Sequence, residues 1–72
     1  MKSEGLRRVS TEQLKRVLQL LYREQLPSPI SRSGLIAAAL GDIEQQLDIL
    51  VGLEHRAAQR VIVAVLAERR AI

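Results

Sequence analysis

The chain of 72 residues contains no cysteine, no tryptophan and no phenylalanine, and a single tyrosine, Tyr22. Each absence excludes something. Without cysteine there can be no disulfide, and His55 alone cannot supply the ligand set of a structural zinc site. One aromatic is too few for a platform on which single-stranded bases could stack. No run approaches the ~18 consecutive apolar residues of a membrane span. Met1-Lys2-Ser3-Glu4-Gly5 leads into Leu6-Arg7-Arg8 rather than into the apolar core of a signal peptide. The expectation is a soluble, cytoplasmic protein.

Catalytic signatures are equally scarce. The glycines stand apart at positions 5, 34, 41 and 52, so no phosphate-binding loop is written. Asp42, Glu44 and Asp48 lack the spacing of a calcium loop, and a capped, solvated helix accounts for them. His55 sits between Glu54 and Arg56 with no thiol or paired nucleophile in the sequence to act on, and reads as a solvent-facing or capping histidine. No catalytic residue, metal ligand or cofactor is expected, and no enzyme.

What the chain does have is aliphatic bulk. Apolar residues make up 47% of it, twelve of them leucine. A single domain this short buries only about 60% of its extended surface, so its core is marginal and association is the remaining route to stability. The greatest concentration is Val61-Ile62-Val63-Ala64-Val65-Leu66-Ala67, between Arg60 and Glu68. The β-branched residues would suit a strand, but no second strand-like run exists to pair with it, so a helix over about Leu53 to Arg70 is expected. In that helix Ala58, Val61, Ile62 and Val65 are placed on one side and Val63, Leu66 and Ala67 on the other, which would leave a second apolar face for another chain.

The remaining elements follow in order. Residues 1–9 read as a flexible basic arm, and 10–72 as a single helical domain. Ser10 stands three residues before Gln13, the spacing of a capping box, with Val9 and Leu14 as a hydrophobic staple. Leu14, Val17, Leu18, Leu21 and Tyr22 then form one stripe, with Leu20 off it. Leu26-Pro27-Ser28-Pro29 ends this first helix. Ser31 or Ser33 caps a short second helix to Leu40, and Gly41 suits its left-handed terminus. Asp42 caps a third, whose inward stripe is Ile43, Leu47, Leu50 and Val51, with Ile49 astray and Gly52 at its end. The fold class expected is thus all-α, a small bundle of about four helices.

Helices 2 and 3, joined by Gly41-Asp42, have Ala37 four residues before the glycine, and Ile36, Leu40, Leu47 and Leu50 at packing positions. This corner resembles the helix-turn-helix of many DNA-binding regulators. The resemblance implies a recognition helix bearing Gln45 and Gln46 toward bases, with Arg7, Arg8 and Arg32 on phosphates. Charge opposes it. Residues 41–54 carry four acidic groups and no basic one, whereas 1–40 balance at +4 and 55–72 at +3.

The reading favoured by the sequence is a non-catalytic protein–protein interaction, docking or adaptor module. It would be homodimeric through the C-terminal helix or would bind another protein, with Leu20, Ile49, Val63, Leu66 and Ala67 at the partner interface. The alternative is a small helix-turn-helix transcriptional regulator. An accessory subunit of a larger enzyme would look the same.

Overall fold

A computed structural model describes residues 5–26, 28–39 and 45–71. Among these residues the fold is all-helical and contains no strand. It has three α-helices, α1 (Thr11–Tyr22), α2 (Arg32–Ala39) and α3 (His55–Glu68). Two 3-10 helices, Leu6–Arg8 and Gln45–Leu50, complete it. The expected third α-helix is thus represented by the second 3-10 helix, and the Gly41-Asp42 turn lies outside the described residues.

Helix α1 forms as its sequence directs. The Ser10 side chain accepts a hydrogen bond from the Gln13 amide at 3.3 Å, satisfying one of the orphan donors of the first turn. Val9 and Leu14, the staple pair, are both fully buried. Leu14, Val17, Leu18 and Leu21 face the core. Tyr22, expected on the same stripe, is instead 62% exposed, at the last residue of the helix, where the chain is already turning away.

That turn is a Schellman motif. Glu24 adopts φ 56°, its amide bonds to the Leu21 carbonyl, and the Gln25 amide reaches the Leu20 carbonyl at 2.9 Å. Helix α3 ends in the same way. Arg70 takes φ 55°, with Arg70 N–H to Ala67 O at 3.0 Å and Ala71 N–H to Leu66 O at 2.9 Å. Both left-handed positions are usually filled by glycine, and here both carry a side chain.

Helix α2 is capped by Ser31, whose hydroxyl accepts from the Gly34 amide at 3.0 Å. It contributes Leu35 to the core and leaves Ile36 44% exposed. After the second 3-10 helix, Gly52 takes φ 87°, a conformation strained for any L side chain. Its amide bonds to the Ile30 carbonyl at 2.7 Å, and the Ile30 amide bonds back to the Leu53 carbonyl at 2.9 Å. This reciprocal pair ties the proline loop to the entry of α3. Glu54 accepts from the Ser28 hydroxyl, and His55 Nε2 donates to the Leu26 carbonyl, on the same tie. The histidine is therefore a half-buried tether, not a solvent-facing or capping group.

Residues 5–9 differ from the arm expected there. Leu6 and Val9 are at 0% and 1% exposure, inside the core. Two apolar residues three apart fall on one face of a 3-10 turn, and that face packs. The segment is clasped from the far end of the chain. Arg69 donates to Thr11 Oγ1 at 3.1 Å, to the Leu6 carbonyl at 3.4 Å and to the Arg7 carbonyl at 2.6 Å. Arg7 in turn pairs with Glu68 at 3.0 Å. The core so closed is wholly aliphatic. Leu6, Leu14, Leu21, Leu26, Ile30, Leu35, Leu47, Leu50, Ile62 and Leu66 are its largest enclosed side chains, and no described polar or charged residue is buried.

Candidate docking face

The five residues expected at a partner interface do not form one surface. Leu66 is 0% exposed, enclosed by its own chain. The reason is helical phase. At about 100° per residue Leu66 lies only ~40° from Ile62, four positions before it, and shares the buried face of Ala58, Ile62 and Val65. Leu20, Ile49 and Val63 are half-buried and rest against the core, and Ala67 alone is open. The second face of α3 therefore lacks Leu66, its expected anchor.

Apolar surface is left over elsewhere. Ile49, Val51, Leu53, Ala57 and Val61 line an open groove of about 360 Å³. Its floor is made by two elements. The end of the second 3-10 helix and the turn after it supply Ile49, Val51 and Leu53. Helix α3 supplies Ala57 and Val61, one turn apart and so on one face. Val51 is 40% exposed, although the sequence places it on an inward stripe. In an α-helix Val51 would follow Leu47 at i+4 and share its face. In the 3-10 geometry actually adopted, i and i+3 eclipse, so Leu47 and Leu50 take the buried face together and Val51 is turned outward. Val61, assigned to the core side of α3, is half-buried at the groove wall for the complementary reason. The buried face of α3 is centred nearer Ile62.

Gly5 supports this wall from behind. A Cβ at that position would overlap the Ile49 Cδ1 methyl, so the absence of a side chain lets Ile49 settle where it lines the groove.

The described charged residues directly beside the lining residues in sequence are Asp48, Glu54, Arg56 and Arg60. Asp48 is paired with Arg32, and Glu54 accepts from the Ser28 hydroxyl. Arg56 and Arg60, each immediately preceding a lining residue of α3, are exposed and have no ion-pair partner among the described residues. Asp48 is balanced by Arg32, and the two arginines outnumber the remaining carboxylate, Glu54, whose charge a hydroxyl does not cancel.

The residues implied by the helix-turn-helix resemblance are dispersed. Arg32 is bound to Asp48 and Arg7 to Glu68. Arg8 is exposed and Gln46 half-buried. Gln45 opens the 3-10 helix. Among the described residues no group of three or more His, Asp or Glu is placed to hold a metal ion, and no helix is long and apolar enough to cross a membrane. Set against known protein families, characterised proteins and solved structures, the chain matches none of them, so its functional reading rests on its own residues.

Proposed function

We propose that this chain is a non-catalytic protein–protein interaction module, which docks an apolar segment of its partner in the groove between the 3-10 helix Gln45–Leu50 and the first half of α3. The observation that carries this is the partly open aliphatic set Ile49, Val51, Leu53, Ala57 and Val61, which lines one groove across two elements. A groove of this kind, without convergent polar groups to orient a small molecule, suits side-chain anchors from a protein segment.

Relative to the expectation from sequence, the partner surface moves across α3, from Val63, Leu66 and Ala67 to Ala57 and Val61. Ile49 is the one expected interface residue that stays. A homodimer through the C-terminal helix loses its main anchor with Leu66, and the role assigned to that helix becomes docking rather than self-association.

The regulator reading has less behind it. A fourth α-helix over 42–52, making a helix-turn-helix corner with α2, belongs to that reading. It would have to carry Asp48 toward phosphates while Arg32, counted on to contact them, is already neutralised by the same carboxylate.

A photo-reactive residue introduced at position 51 tests the docking role in cells. It should give a discrete cross-linked product, while the same residue at position 23, which does not line the groove, should not. Identical product patterns from the two positions would remove the proposal.

A further inference from the structure

The sign of the charge around the groove says what kind of segment fits it. We infer that the occupant is an amphipathic helix of a different protein, carrying acidic residues on the flanks of its apolar stripe. This rests on the docking role proposed above and adds the chemistry of the partner.

Three observations lead there. First, the lining is aliphatic and continuous across two elements, with room for a few aliphatic side chains. That is how a helix laid in a groove is held, by anchors at i, i+3 or i+4, and i+7. Second, of the two described carboxylates directly beside lining residues in sequence, Asp48 is neutralised by Arg32, which leaves Glu54 alone against two arginines. Third, Arg56 and Arg60 are one turn apart and exposed, and neither is engaged by a carboxylate among the described residues. Rim charges of one sign steer the encounter and select a partner of the other sign, while the apolar floor supplies affinity.

The same facts disfavour a second copy of this chain as the occupant. In a two-fold dimer a patch meets itself. Here that would bring four arginines to one seam against two Glu54 carboxylates, since Asp48 is already neutralised by Arg32.

The test uses the whole chain and two synthetic helical peptides with the same leucine stripe. One has glutamates on both flanks, and the other has lysines. Binding is followed by fluorescence anisotropy at low salt. The glutamate peptide should bind about tenfold more tightly than the lysine peptide, and the difference should shrink as salt rises. In Arg56→Glu/Arg60→Glu the preference should invert, with circular dichroism confirming that the variant remains helical. Should that variant fail to fold, the two peptides and their salt dependence on the unaltered chain decide the matter.

Equal binding of both peptides would overturn the acidic partner and leave docking standing. So would a dimeric mass by light scattering that Val61→Asp returns to monomer, since a second copy would then fill the groove. Failure of both peptides to bind would also overturn the inference. The docking role itself would fall with it only if the cross-link at position 51 were absent as well.

Discussion

The two flanks of α3 carry similar aliphatic side chains and meet opposite surroundings. On one, Leu66 continues the face of Ala58 and Ile62 and is fully enclosed, on a helix packed against α1 and the 3-10 helix Leu6–Arg8. On the other, Val61 and Ala57 look across to Ile49, Val51 and Leu53 and remain partly open. Surplus apolar surface is therefore not a matter of how many aliphatics a helix holds. It depends on which of its flanks the rest of the chain reaches, and in so small a fold the reach is set by a few residues such as Leu6 and Val9.

The largest effect expected on this contrast is at Leu66. Leu66→Ala should lower unfolding free energy by about 2–5 kcal/mol in urea denaturation, because a fully enclosed leucine leaves a cavity behind. Val61→Ala, on the open flank, should cost less than about 1 kcal/mol. Similar losses at the two positions would mean that the flanks are not different after all. Next comes the clasp that seals the closed flank. Arg69→Ala removes three hydrogen bonds from a charged donor and should cost about 1.5–3 kcal/mol. Arg7→Ala, which breaks only an exposed ion pair, should stay within about 1 kcal/mol. If Arg7→Ala proved the costlier change, the closed flank would owe its sealing to the surface pair and not to the carbonyl contacts. The smallest effects should be gains. Arg70→Gly and Glu24→Gly each relieve a left-handed backbone without disturbing the core, and each should raise stability by up to about 1 kcal/mol, read as a higher melting temperature.

Much of this fold is written locally. Ser10, Gln13 and the single stripe of α1 specify a helix and its start without help from the rest of the chain, and Ser31 does the same for α2. The run Val61–Ala67 has no partner strand to pair with, and it lies in a helix that begins at His55 and runs to Glu68. What local pattern could not supply was phase and reach. Leu66 stands at i+4 from Ile62 and so shares its buried side, opposite to the side on which the apolar run alone places it. Val51 falls inward only at 3.6-residue periodicity, and its segment winds at three residues per turn. Leu6 and Val9 flank Arg7-Arg8, and the Arg69 contacts that clasp their segment come from the far end of the chain. The groove was for that reason legible only through Ile49.

The clasp at Arg69 has a consequence for the order of assembly. Its contacts join residues 62 and 63 positions apart, so nearly the whole chain must be gathered before they can form, and the entropy of closing that loop opposes them until the core is in place. Contacts of that kind belong to the late stage of folding. Their removal is expected to leave the folding rate nearly unchanged and to appear as faster unfolding, which makes one arginine near the end of α3 the brake on opening at the opposite end of the chain.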